Sequence, residues 1–332
     1  MLVCRTEHEL SQELREKLAL FCNVKPEAVI QSIDATTIYE VPILMQNEGL
    51  DAVVLSKLKL EQAPTPNLKE WNFFLNRYKN PKATVKIGLV GKYVELQDSY
   101  KSILESFIHA GAANEVEVSV KSIHSEHISE KNLETTFGDL NALLVAPGFG
   151  ERGIEGKILA VKYARENKIP FLGICLGMQM AVIEFARNVL GLKEASSVEM
   201  DAQTAHPVID LMEDQKHITN MGGTMRLGAW LCCLEPNTLV AGIYKNEAKD
   251  NCIHERHRHR YEFNNKYKDQ LIANGMQISG INPETQLAEI IELKDHPWFV
   301  GVQYHPEYKS TVVKPHPLFV AFVAAAYTHQ KQ

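Results

Sequence analysis

The sequence predicts an α/β protein with a mostly parallel central sheet flanked by helices. Three observations lead there. Short apolar runs alternate with helix-compatible stretches from Thr84 onward; one run passes through Gly173-Ile174-Cys175-Leu176-Gly177 straight into a helical pattern; and a second, Phe299 to Tyr304, ends in His305-Pro306-Glu307. Alternation of this kind yields parallel strands with helices on both faces and a site at the carboxyl ends of the strands.

Composition sets the frame. The 332 residues are 45% hydrophobic and 23% charged, enough for a sizeable core. With 35 basic against 41 acidic residues and a net charge of -6, general affinity for nucleic acid or an anionic membrane is not expected. No stretch approaches the roughly 18 apolar residues of a membrane span, and Met1 to Glu7 lacks a basic segment followed by an apolar core. These features predict a cytoplasmic protein. Its six cysteines, Cys4, Cys22, Cys175, Cys232, Cys233 and Cys252, form no CxxC pair, so reduced thiols are expected.

Residues 1–58 read as a small helical region: Leu10 to Phe21, then Asp34 to Gln46 broken by Pro42, then a start at Leu50. That is too little for an independent core, and it has the character of the tail of something larger. Residues 59–82 read as a Pro64- and Pro66-containing linker, with a helix from Asn67 to Tyr78 that docks on the following domain through Trp71, Phe74 and Leu75. Residues 83–329 form the main domain. Its strands are expected at Val85 to Gly91, Val116 to Ile123, Leu143 to Ala146 and Phe171 to Ile174, its helices at Ser99 to Ala112, Lys157 to Asn167 and Met178 to Leu190. Further strands are expected at Met225 to Trp230, Leu239 to Tyr244, Glu262-Phe263, Met276 to Ile281, Leu287 to Leu293 and Phe299 to Tyr304, with a hairpin turn at Asn282 to Thr285 and a closing helix from Pro315 to Thr328.

Gly-x-Cys-x-Gly between a strand and a helix has the form of a nucleophile elbow, where small flanking residues permit a strained turn. At the helix N-terminus, free amide groups and the helix dipole favour the thiolate of Cys175. A thiolate nucleophile needs a base, and the base an orienting group. His305 and Glu307, two apart on an extended segment, point the same way and supply both. For the developing oxyanion, the N–H of Leu176 is one donor; Gly148, in Ala146-Pro147-Gly148-Phe149-Gly150, is the other, since Pro147 has no N–H.

Gly173-Ile174-Cys175-Leu176-Gly177-Met178-Gln179 with a distant His305-Pro306-Glu307 resembles the class I (triad) glutamine amidotransferases. Gly222-Gly223-Thr224-Met225-Arg226-Leu227-Gly228 and Glu255-Arg256-His257-Arg258-His259-Arg260-Tyr261-Glu262 narrow the resemblance to the CTP synthases, and residues 1 to about 55 resemble the end of that family's synthetase domain, most of which is missing here. The resemblance implies that Cys175 attacks the side-chain amide of L-glutamine, releasing ammonia and leaving a glutamyl thioester for water, with no cofactor for this step. It implies glutamine contacts at Gly148, Leu176, Gly177, Met178, Gln179, Glu199 and Arg260, a carboxylate suiting the α-ammonium and a guanidinium the α-carboxylate. In a full-length enzyme it implies ATP with Mg, UTP, product CTP, activation by GTP and a homotetramer. Arg5 and Ala35 align near the ATP position, Lys17 near UTP or CTP, and Arg152 with a lid tied to GTP. Pro147-Gly148 stands where the family commonly has Gly-Gly, which rigidifies the turn and leaves its second amide available.

Gly150 to Lys157 superficially suggests a phosphate loop, but the spacing is wrong for GxxxxGK and Ile158 follows where Ser or Thr belongs. His254 to Arg260 completes no zinc spacing, so no metal is expected; on a strand its arginines and histidines alternate faces, leaving Arg260 to glutamine and the others to an internal polar network. Rival readings are an amidotransferase of another pathway, a γ-glutamyl hydrolase, and an assembly module whose triad is idle.

Overall fold

In the computed structural model, residues 1–60, 63, 64, 66–211 and 225–331 are described below. The chain divides into two compact units, Met1–Lys79 and Asn80–Gln332.

The first unit is not purely helical. Strand β1 (Leu2–Thr6) pairs in parallel with β2 (Val29–Ile33), joined by α1 (Gln12–Phe21), and these are followed by α2 (Val41–Asn47), α3 (Leu50–Lys57) and α4 (Lys69–Lys79). Ser11 caps α1 by accepting from the Leu14 N–H. Pro42 starts α2 rather than breaking a helix, because a proline in the first turn gives up only an N–H that has no partner there. Within its own unit, α4 packs through an aromatic ridge. Trp71 Nε1 donates to the Tyr39 carbonyl at 2.7 Å, and Tyr39 packs edge-on against Phe74 and Tyr78.

In the second unit, parallel strands and helices alternate as β3 (Ala83–Gly91), α5 (Lys101–Ala113), β4 (Val116–His124), α6 (Leu133–Phe137), β5 (Ala142–Val145), α7 (Ile154–Glu166), β6 (Phe171–Ile174) and α8 (Leu176–Asn188). There follow β7 (Ala195–Ser197), β8 (His206–Leu211), β9 (Arg226–Leu234), α9 (Leu239–Ile243), β10 (Cys252–His259), β11 (Tyr261–Phe263), α10 (Lys268–Ala273), β12 (Met276–Ile281), β13 (Ala288–Leu293), β14 (Phe299–Val302) and α11 (Pro317–Gln330). Among the described residues the main sheet runs β10-β9-β12-β13-β14-β6-β5-β3-β4, and β11-β8-β7 form a small second sheet.

"Mostly parallel" holds for only one half of the main sheet. From β14 to β4 every pairing is parallel, whereas from β10 to β14 every pairing is antiparallel. Short connections such as the Asn282 turn, whose side chain accepts from the Glu284 and Thr285 N–H groups, force antiparallel neighbours. Leu239 to Tyr244, expected as a strand, is a helical turn. Thr238 Oγ1 accepts from Ala241, and Glu292 reaches over from β13 to accept from the Leu239 and Val240 N–H groups, so a capping contact outweighs β propensity.

The period of two along the parallel strands divides the core. Leu143, Val145, Phe171 and Phe299 face α7 and α8, while Ala142, Leu144, Leu172, Val300 and Val302 face α5 and α11. This sandwich fixes the carboxyl ends of β3, β5, β6 and β14 side by side. One cysteine expectation also changes: Cys233 and Cys252 face each other in the β9–β10 register, Cα atoms 4.0 Å apart, and are joined as a disulfide. Their separation of 19 residues carries no hint of that pairing.

The candidate active site

Cys175 occupies the junction of β6 and α8 with φ 52° and ψ −104°, a backbone state that favours glycine. Its N–H donates to the Val302 carbonyl at 2.7 Å, which locks the strained turn to β14. The flanking glycines are there for closeness. A Cβ on Gly173 would lie 2.7 Å from the Gly177 backbone, and one on Gly177 would lie 2.2 Å from the Val145 carbonyl oxygen. The thiol is therefore held at the positive end of a helix that is buried along most of its length.

His305 follows β14, on the strand next to the elbow strand. Its Nδ1 shares a 2.7 Å hydrogen bond with Glu307 Oε1, and both residues are buried. Its Nε2 has no hydrogen-bond partner among the described residues. Burial alone would lower the ring's proton affinity, but the opposing charges of Cys175 and Glu307 prevail and raise the imidazolium to about 11. At neutral pH His305 thus carries its proton in the folded site. Gln303 adds a contact that sequence reasoning did not assign: its Nε2 lies 3.6 Å from Cys175 Sγ, and its Oε1 accepts from Gln179 at 3.2 Å.

The expected glutamine contacts converge in part. A narrow cleft is lined by Gly148, Phe149, Cys175, Gln179, Glu199, His259, Arg260 and Tyr261. Gln179 is held by donating to the Tyr261 carbonyl at 2.9 Å, and Glu199 accepts from the Gly150 N–H at 2.8 Å, which anchors the turn carrying Gly148. Gly148 and Leu176 are neighbours: a Cβ on Gly148 would be 3.5 Å from Leu176 Cδ2. Gly177 and Met178 do not line the cleft; the first is wedged against Val145 and the second is buried in the apolar core. Any contact they make with a ligand would run through their main chain.

Arg152 is outside this cleft. Its guanidinium donates to the Lys92 carbonyl at 3.3 Å and lies over the Tyr93 ring. In the first unit, Arg5 is committed to Asp34 at 2.7 Å, Lys17 is exposed on α1, and Ala35 follows Asp34. A shallow pocket there is lined by Gln12, Arg15, Pro26, Glu27, Val29 and Glu48, none of the three. Among the described residues no His, Cys, Asp or Glu cluster could hold a metal ion, and no helix is long and apolar enough to cross a membrane.

The Arg-His-Arg-His-Arg strand alternates faces as expected, with Glu255, His257 and His259 turned inward, but His254, Arg256 and Arg258 turn outward, so the internal polar network expected of the whole run takes only its inward face. Arg226 Nη2 donates to Glu289 at 2.6 Å, its Nη1 is 3.3 Å from Glu262, and His257 Nδ1 pairs with His259 Nε2 at 2.9 Å. Burial pushes the Glu262 carboxyl up to about 8, against the pull of Arg226, and pushes His259 down to about 3. Residues Gly222, Gly223 and Thr224 of the preceding motif lie outside the described residues. His259 lines the cleft without having been singled out; its position one residue before Arg260 was the available signal.

Residues 95–325 match the family Glutamine amidotransferase class-I, and residues 1–60 match CTP synthase N-terminus. The chain is 67% identical over 332 residues to the CTP synthase of Flavobacterium johnsoniae, covering 100% of this chain and 61% of that one. To the CTP synthase of Christiangramia forsetii it is 69% identical over 329 residues, covering 99% and 60%. Among solved structures, the Trypanosoma brucei CTPS glutaminase domain with bound acivicin matches with a TM-score of 0.68 at 36% identity, over 74% of this chain and 94% of that domain. The chain spans about 61% of the length of the first of these relatives.

Proposed function

From a chain that belongs to the class I glutamine amidotransferases, alongside the glutaminase domain of CTP synthase, we propose the following function: hydrolysis of L-glutamine through Cys175, His305 and Glu307, with the ammonia destined for a CTP synthase reaction. The observation that carries this reading is the buried His305–Glu307 pair at 2.7 Å aimed at a cysteine held in an elbow.

The Cys175 thiolate attacks the glutamine side-chain carbonyl carbon, and the carbonyl electron pair moves onto oxygen. The N–H groups of Gly148 and Leu176 receive that oxyanion. On collapse the C–N bond breaks, His305 gives its proton to the nitrogen, and ammonia leaves a glutamyl thioester. His305, now neutral and oriented by Glu307, removes a proton from water; the resulting attack releases glutamate and restores the thiolate. Glu199 and Arg260, at the cleft, take the α-ammonium and the α-carboxylate. Acivicin, bound in the trypanosomal domain, is expected to label Cys175 here.

Amination of UTP with ATP and Mg, product CTP, GTP activation and tetramer formation belong to the proposal for the whole protein. The residues of the first unit do not make a nucleotide site by themselves: Arg5 is tied to Asp34, and Lys17 stands on another element. Arg152, bridging the loop after β5 to Lys92, is the residue through which GTP would act. A cytoplasmic location fits the same reading.

The test is ammonia release from glutamine by this chain and by Cys175→Ala, with and without GTP. Release that vanishes in the variant is expected. Equal release by both would remove Cys175 from the chemistry.

A further inference from the structure

Lys157, the residue that gave the Gly150–Lys157 stretch its false likeness to a phosphate loop, turns inward and is fully buried. Its Nζ donates to the Ala146 carbonyl at 3.0 Å, and no carboxylate is paired with it among the described residues. Lys92, also buried, donates from the other side to the Phe149 carbonyl. Glu199 holds the next N–H, that of Gly150. The Ala146 and Phe149 carbonyls and the Gly150 N–H are thus taken, while the Gly148 N–H has no partner among the described residues. A Cβ on Gly148 would sit 3.7 Å from Lys157 Nζ and 3.5 Å from Leu176 Cδ2, so the amine lies beside the Gly148 α-carbon.

An unpaired buried ammonium is an expensive way to fill space, and methionine would fill it as well. Burial, helped by nearby Lys92, brings the Lys157 ammonium down to about 7, and the charge of Cys175 opposes that fall. The amine and the thiol therefore sense each other.

We propose that Lys157 is a positioning residue of the oxyanion site: by gripping the Ala146 carbonyl it fixes the Ala146–Pro147 peptide, and through the rigid proline ring the orientation at which the next peptide presents the Gly148 N–H to the oxyanion formed at Cys175. This rests on the glutaminase reading and adds a residue which that reading does not use.

The test compares the full chain with Lys157→Met, which keeps volume, and Lys157→Gln, whose amide can still donate to the same carbonyl. Three quantities are read: kcat and KM for ammonia release, the affinity for the γ-aldehyde analogue of glutamine, and the rate of Cys175 alkylation by iodoacetamide. In the aldehyde adduct sulfur bonds to the carbonyl carbon, and the π electron pair passes to oxygen, which uses the oxyanion donors; alkylation displaces iodide and does not use them. Since loss of a whole oxyanion donor costs about 10²–10³ in rate, Lys157→Met should lower kcat at least tenfold with KM within twofold. It should weaken the aldehyde by a similar factor and leave alkylation within twofold; Lys157→Gln should stay within about threefold of the native kcat. Unchanged kcat, a loss confined to KM, or alkylation falling in step with kcat would overturn the proposal. If Lys157→Met does not fold, a tenfold loss in Lys157→Gln overturns it and retention supports it. A native chain that alkylates at Cys175 but releases no ammonia would break the glutaminase reading alone, and the aldehyde ratio would still judge Lys157. Binding of neither substrate nor aldehyde by the native chain would overturn both.

Discussion

The two halves of the main sheet are built on different physics. From β14 to β4 the buried positions are Val, Ile, Leu, Ala and Phe, and burial of apolar surface holds the strands. Between β10 and β13 the buried positions include Arg226, Glu255, His257, His259 and Glu289. There the charged groups are held by one another at 2.6 to 3.3 Å around Arg226. The apolar half makes a rigid platform whose strand ends carry Cys175 and, through β14, His305. The polar half sets the orientation of the strand that brings His259 and Arg260 to the cleft. The residues at the cleft thus come from opposite sides of one sheet, Cys175 from the apolar half and His259 from the polar half.

The sharpest division is in catalysis. Cys175→Ala should reduce ammonia release by about 10⁴ or more, while its unfolding midpoint in urea moves little, because the platform does not depend on the thiol. A large stability loss would mean that the two roles are not separable. Next in size is packing against charge: Phe171→Ala, which unstacks Phe171 from Phe299, should cost about 3–5 kcal/mol. Arg226→Met alone should cost a similar amount, about 3–5 kcal/mol, because it strands two buried carboxyls. Combining it with Glu262→Gln and Glu289→Gln should restore most of that loss in urea unfolding. If the triple variant stays as unstable as the single one, the polar half is not held by its internal pairing.

A smaller effect distinguishes the halves by pH. Glu262, faced by Arg226, Glu289 and His259, is raised from its ordinary value of 4.5 to about 8 in the folded state. The folded chain then binds the proton more tightly than the unfolded chain, so stability falls as pH rises from about 4.5 to about 8, by at most about 1.4 kcal/mol per pH unit. Glu262→Gln should flatten that decline in thermal unfolding. The smallest effect belongs to the surface: Arg5→Ala removes an exposed ion pair and should change stability by about 0–1 kcal/mol.

What was legible in the sequence follows the same division. Gly-x-Cys-x-Gly and His-Pro-Glu are local, and local geometry suffices to aim their side chains. The alternation of His254 to Arg260 was equally readable, since a strand has a period of two. Long-range contacts were not. Nothing near Leu239 says that Glu292 will cap it, nothing in two short runs 22 residues apart says that Leu2 will pair with Val29, and neither Cys233 nor Cys252 names its partner. Lys157 was visible but misdirected attention, because a lysine after glycines suggests phosphate more readily than the underside of a turn. Gln303 lay beside His305 in plain view; only the fold shows that its amide reaches the sulfur.

The backbone of Cys175 has an evolutionary consequence. In its conformation a residue with a Cβ carries a strain of about 1–3 kcal/mol that glycine would not. Selection for durability alone would therefore drift this position to glycine and gain a sturdier protein. The cysteine that stands there is a standing handicap, and a lineage in which the thiol had fallen out of use would have an easy exit from it.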